Sequence, residues 1–415
     1  MDSMHQRTWF SLLTLPLVAG FTYPVVFQKG APVARVESTK GSQDPLAGLA
    51  DIQDVLSMVR DNYVDVPDLE KVVQGGIQAV LERAHPLNAY LSPDDLRLPD
   101  PGPAELGLRV VKRQIYAQVV AVVPGGPAAR AGVQLGDVLR KLDGESIGSM
   151  SAWNLERRLR GPIGSTANLV FHQASSGDLK TLTLTRSLPL HGPIAIRREA
   201  QATVLAPPDL TLGRAEELKA LLAGLDHKLP LVLDLRQCAT GDLQEAALLA
   251  GLFLPDGPFA TIQEVGKPDR LVRVVATPVE AFSKLALIQG IGTLGAPEAL
   301  VSAFKKQGIP TFGDRTVALG VERTRFTLRS GAAEIVNRRW VGAGGEKLGF
   351  GGEKSEQTPG VAPLHALKGM KPEEDPLPKV LEILMAPPTP EKKPGTQAAL
   401  RLPGFWFQGT IRETA

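Results

Sequence analysis

The stretch that most constrains this chain runs from Leu285 to Gly308, LALIQGIGTLGAPEALVSAFKKQG. Its first residues, Leu285-Ala286-Leu287-Ile288, form a short apolar run of the kind that makes a buried strand. A loop of small residues follows, from Gly290 to Ala296. Pro297 suits the first turn of a helix, where its missing N–H would have no partner in any case. Leu300, Val301 and Phe304 give that helix an apolar face, and Gly308 is placed to cap its end. A strand, a glycine turn and a helix start aim backbone N–H groups at an anion or an oxyanion. In a hydrolase the nucleophile would sit on this turn. Here the turn has neither Ser nor Cys, and its one hydroxyl is Thr293.

Lys and Arg number 46 against 44 Asp and Glu. They are scattered with few aromatics among them, so no basic field draws nucleic acid. Cys238 is the only cysteine, which excludes an internal disulfide and a Cys/His zinc cluster. His5, His85, His172, His191, His227 and His365 are dispersed, with no pair at i, i+4, so neither a metal site nor a cofactor is expected.

Residues 1–28 read as a signal peptide or a membrane anchor. Trp9–Phe27 is apolar apart from Ser11, Thr14 and Thr22, close to the length of about 20 residues that spans a bilayer. Val18-Ala19-Gly20 is a poor cleavage site, which favours the anchor. Both readings export the rest, giving a membrane-anchored or periplasmic, extracytoplasmic protein. Residues 29–45 form a linker rich in Gly, Pro and Ser. Residues 46–100 carry two amphipathic helices, marked by Leu49, Ile52, Val55, Met58 and Val59 and then by Leu69, Val72, Val73, Ile77, Val80 and Leu81. Pro101-Gly102-Pro103 closes that segment.

Residues 104–188 alternate as strands around a short helix, Ala152–Leu159, with a turn at Asp143-Gly144. Pro124-Gly-Gly-Pro-Ala-Ala-Arg-Ala-Gly132, Leu135-Gly-Asp-Val-Leu139 and Leu142-Asp-Gly144 resemble the signature of a PDZ domain. Such a domain takes an extended peptide as an added strand and holds its terminal carboxylate in a glycine-bearing loop. The resemblance implies that Leu106, Gly107 and Leu108 form that loop and strand, and that Ala152, Leu155 and Leu159 lie on the helix wall. Leu155 and Leu159 equally suit the domain core. Glu156 is unusual where apolar residues are the rule.

From residue 190 to 384 the pattern becomes α/β. Helices over Gly213–Leu225 and Leu243–Leu254 flank an apolar strand, Leu229–Leu235, and strand, loop and helix recur at Leu285–Phe304. This implies a layered sheet covered by helices. Residues 385–415 are a Pro- and Lys-rich tail that includes Phe405-Trp406-Phe407. The fold class is therefore α/β multidomain: an N-terminal helical segment, a PDZ-like β domain and a layered α/β core.

LVLDLRQCATGDLQEAALLAGLFLPDGP, with Asn62-Tyr63-Val64-Asp65, His85-Pro86, Tyr90-Leu91 and Asp375-Pro376, resembles the C-terminal processing (tail-specific) serine peptidases. That family cuts peptides with a Ser nucleophile and a Lys base. A serine hydroxyl needs a base within reach, and a lysine serves only when burial keeps it neutral. By the resemblance the helix-opening Glu matches Glu298, the nucleophile position falls on Gly295, and the flanking Ser matches Thr293. The base position falls on Leu319 and its supporting amide on Arg323. The oxyanion-type loop is Gln237-Cys238-Ala239-Thr240-Gly241, in which only Gly241 is kept.

Gly295 has no side-chain oxygen and Leu319 cannot accept a proton. Without nucleophile and base only residual acceleration remains, so the catalytic set is empty. Ser302 and Lys305, or Ser283 and Lys284, read as solvated surface, and Cys238 as a buried filler. Two functions follow from the resemblance. One is an inactive homologue that binds protein C-termini through the PDZ domain, or pairs with an active peptidase paralogue. The alternative is an active serine-type endopeptidase that processes C-termini with residues of another kind.

Overall fold

The computed structural model describes residues 48–112, 115–189, 192–349, 358–367 and 374–386. The apolar segment Trp9–Phe27, the linker over 29–45 and the tail from Pro387 lie outside the described residues. Helix Leu49–Asn62 keeps Leu49, Ile52, Val55 and Met58 at helical spacing, and all four side chains are exposed. No helix among the described residues is long and apolar enough to cross a membrane.

Helix Leu69–Ala84 leads into strand Ala89–Leu91. The Gln78 side chain of that helix accepts the Tyr90 N–H at 2.7 Å, fixing where the strand begins. Sequence periodicity gave only helices here. The strand instead pairs antiparallel with Ala332–Glu334, far along the chain.

The PDZ-like domain is an antiparallel sheet in the spatial order Leu108–Lys112, Ala117–Val122, Val138–Leu142, Thr166–His172 and Leu179–Thr185. Alternate residues point inward, so Val119, Leu139, Leu142, Leu169 and Phe171 close a core with Leu155 of helix Ala152–Leu159. Ser151 caps that helix by accepting the Asn154 N–H.

The α/β core holds a six-stranded sheet. Its spatial order is His365–Ala366, Thr311–Gly313, Leu285–Gln289, Leu231–Asp234, Ala202–Ala206 and Ala195–Glu199, parallel except for the last pair. Leu205, Leu231, Leu233 and Leu287 face helices Arg214–Leu222, Leu243–Gly251 and Ala296–Lys306. Val204, Val232, Ala286 and Ile288 face helix Leu377–Met385 on the other side. The near-continuous apolar runs in these strands follow from burial of both faces.

A third, antiparallel sheet was not evident in the sequence. Strand Ala332–Gly342 lies at its centre, flanked by Gly257–Glu264 with Arg270–Val274 beyond, and by Val321–Thr327 and Ala89–Leu91. Its residues are mostly half-buried and its strands are laced with ion pairs such as Arg325 to Glu334 at 2.8 Å and Arg338 to Glu322 at 2.9 Å.

Candidate functional site

Strand Leu285–Gln289 delivers the chain into the glycine turn at the C-terminal edge of the parallel sheet. Thr293, fully buried, donates its hydroxyl to the Leu235 carbonyl at 2.8 Å and accepts the Gly290 N–H at 3.0 Å. The turn's one hydroxyl is thus engaged in holding the turn. A Cβ on Gly292 would stand 2.3 Å from the Arg236 carbonyl oxygen and 2.6 Å from that of Val120, so no larger residue fits there.

Gly295 precedes helix Ala296–Lys306 with φ 69° and ψ −118°, a conformation that L side chains rarely adopt. Glu298, in the first turn of that helix, has no solvent exposure. Its Oε1 accepts the N–H groups of Gly295 at 2.9 Å and Leu319 at 2.8 Å. Its Oε2 accepts the Ala318 N–H at 2.8 Å and the Thr316 hydroxyl at 2.5 Å. Burial pushes the Glu298 carboxyl up to about 7, while the four donors pull the other way. One carboxylate oxygen therefore joins the backbones of Gly295 and Leu319, the two positions on which the resemblance set out above would place nucleophile and base.

The Leu319 side chain packs with Leu294 and with Val111 and Val120 of the PDZ-like domain, flanked by Ala239 and Val317. Hydrocarbon from both domains fills the space beside the turn. Arg323, on strand Val321–Thr327, donates to Glu156 at 2.5 Å and to the Leu87 carbonyl at 3.3 Å. Glu156, out of place by the usual PDZ pattern, is thus the partner of a core arginine.

In the oxyanion-type loop the Thr240 carbonyl accepts the Leu210 N–H at 2.9 Å, and the Cys238 carbonyl accepts the Leu294 N–H at 3.2 Å. A Cβ on Gly241 would meet the Leu210 Cβ at 2.6 Å, which accounts for the one glycine kept there. Cys238 is fully buried, and burial with the nearby Asp209 charge pushes its thiol far above the usual range. It is a core residue and offers no thiolate.

The expectation of solvated surface for Ser302 and Lys305 is corrected. Ser302 is fully buried, donates to Glu346 at 2.6 Å and accepts the Gly344 N–H at 3.1 Å. Lys305 stands 3.3 Å from the same carboxylate. Helical spacing concealed this because the covering hairpin is contributed by strand Ala332–Gly342 and the turn after it. The hydroxyl has no route to a substrate.

In the PDZ-like domain Leu106, Leu108, Ala152 and Leu155 are buried and Leu159 is partly buried against the same core. Gly107 adopts φ 71°, and a Cβ there would meet Pro127 Cδ at 3.1 Å and Gly126 Cα at 3.2 Å. Among the described residues the Leu106 and Gly107 N–H groups have no hydrogen-bond acceptor. Two free donors beside an edge strand, Leu108–Lys112, are what a terminal carboxylate would need.

Missed from the sequence were the fourfold role of Glu298, the Arg323–Glu156 pair and the Ser302–Glu346 bond. Only the placement of Glu at the third helical position, a capping-box signal, pointed to the first.

These features define a PDZ domain joined to a peptidase-fold α/β core. The PDZ domain profile matches residues 118–172 and that of peptidase family S41 matches residues 204–348. The chain thus carries a PDZ domain followed by a peptidase family S41 domain within its α/β core. It is 26% identical over 235 residues to the "Carboxy-terminal-processing protease" of Bartonella bacilliformis, covering 54% of each chain. It is 22% identical over 323 residues to a "Probable CtpA-like serine protease" of Staphylococcus aureus, covering 75% of this chain and 65% of that one. The match thus spans between half and two-thirds of the length of these relatives. The solved "Photosystem II D1 C-terminal processing protease" shares the fold, with a TM-score of 0.60 at 20% identity, covering 82% of this chain and 98% of that one.

Proposed function

We propose that this chain is a catalytically inactive homologue of the C-terminal processing peptidases, which binds protein C-termini through its PDZ domain or pairs with an active peptidase paralogue. The observation that carries the reading is the pair Gly295 and Leu319. Their backbones meet on Glu298, yet one side chain is a hydrogen and the other belongs to an apolar cluster. Acyl transfer needs a nucleophile and a base within hydrogen-bond reach of each other. The nearby hydroxyls, Thr293 and Thr316, are buried and committed to the Leu235 carbonyl and to Glu298. The free N–H groups at Leu106 and Gly107 support capture of a terminal carboxylate. The apolar segment before residue 28 supports an exported, membrane-anchored or periplasmic location. The test is cleavage of unstructured peptides by the purified full chain. No turnover is expected, and turnover abolished by a serine-reactive probe would overturn the proposal.

A further inference from the structure

A cavity of about 510 Å³ lies where the PDZ domain meets the C-terminal ends of strands Ala202–Ala206 and Leu231–Asp234. Its size falls in the range of about 300–1,000 Å³ that holds ligands. Pro124, Pro189, Pro193, Pro207 and Pro208 wall it. Proline rings present rigid apolar faces and lose no side-chain freedom when covered, so the cavity is preformed. Its polar groups are Asp234, Arg236 and Gln237. Arg236 holds Asp234 through Nε at 2.9 Å and Nη2 at 2.7 Å. Nη1 has no acceptor among the described residues. A smaller cavity shares Val123, Pro124, Pro208 and Gln237 with the first and reaches Ala239 and Thr240 of the oxyanion-type loop.

We infer that this cleft is a second peptide site, separate from the PDZ loop, and that it takes an uncharged, apolar internal segment of an extended polypeptide. Three features select that ligand. The walls are apolar. The guanidinium is already neutralised by Asp234, so a terminal carboxylate gains little and meets a like charge at Asp234. The remaining Nη1 donor and the exposed Gln237 amide match the carbonyl and N–H of a peptide backbone. The inference does not depend on whether the chain cleaves peptides.

The probe is a fluorescein-labelled pentapeptide of alanine, valine and proline, acetylated and amidated, titrated against the full chain by fluorescence anisotropy. Ala195 lines the cavity and its side chain is exposed, so Ala195→Trp fills the cleft without disturbing the core. That variant should weaken binding by about tenfold. The free-carboxylate form of the same peptide serves as comparison, and only binding removed by Ala195→Trp is counted, which sets the PDZ loop aside. On that measure both forms should bind within about twofold of each other. Asp234→Asn should then favour the free-carboxylate form by about fivefold, because it removes the carboxylate hydrogen-bonded to Arg236 and leaves only the electrostatic influence of Asp375. Absence of saturable binding, full binding by Ala195→Trp, or a carboxylate preference in the unaltered chain would each overturn the inference.

Discussion

Glu298→Gln tests the junction that holds the turn and the Leu319 segment together. In the native protein four donors converge on the two oxygens, three of them backbone N–H groups. An amide can present an acceptor at only one end. With its NH2 toward Gly295 and Leu319, two buried N–H groups lose their acceptor. With its NH2 toward Thr316 and Ala318, the hydroxyl can turn to accept but the Ala318 N–H cannot. An unmet buried donor costs about 1–3 kcal/mol, so the cheaper arrangement still destabilises the fold by about 2 kcal/mol. Urea denaturation followed by circular dichroism measures this. The loss should also depend on pH. The carboxyl stands at about 7 in the fold against 4.5 ordinarily, so the native state retains its proton longer. Its contribution to stability is fully present below about pH 4.5 and is lost as pH rises through about 7, with a slope of at most about 1.4 kcal/mol per unit. The glutamine variant lacks that slope. The gap between the two proteins should therefore narrow from mildly acidic to neutral pH. A change under about 0.5 kcal/mol, or a gap that widens with pH, would refute the reasoning.

Gly295→Ser should destabilise by about 1–2 kcal/mol through backbone strain and without a clash, since the nearest atom to a new Cβ is Trp340 Cζ3 at 3.9 Å; a midpoint shift in urea reads this. Gly342→Ala places a Cβ 2.1 Å from Ser302 Oγ, so it should break the Ser302–Glu346 bond and cost about 3 kcal/mol or more in the same assay. Arg323→Ala removes the tie to Glu156, which is half exposed, so the global loss should stay below about 1 kcal/mol. Hydrogen exchange at the N–H groups of helix Ala152–Leu159 should quicken all the same.

The core was legible where local chemistry and burial agree. Leu285–Ile288, the small-residue turn, Pro297 and Gly308 each constrain their own neighbourhood, and strand Leu285–Gln289 and helix Ala296–Lys306 follow. The antiparallel sheet was not legible, because strands such as Val321–Thr327 are only half-buried and hold charges in cross-strand pairs rather than an apolar alternation. The Arg323–Glu156 pair joins residues 167 positions apart, beyond any local pattern. Glu298 could be aligned, but three of its donors arrive from Thr316–Leu319 only in the folded chain. The apolar faces read for helix Leu49–Asn62 illustrate the opposite limit, since periodicity predicts a face and says nothing of what covers it.

The central claim, that Gly295 and Leu319 leave the scaffold without a nucleophile and a base, is tested most directly by peptide cleavage with the unaltered chain beside the Gly295→Ser, Leu319→Lys double variant. The account predicts no turnover by the unaltered chain above that of buffer. Turnover by it, whether or not the double variant is faster, would contradict the account.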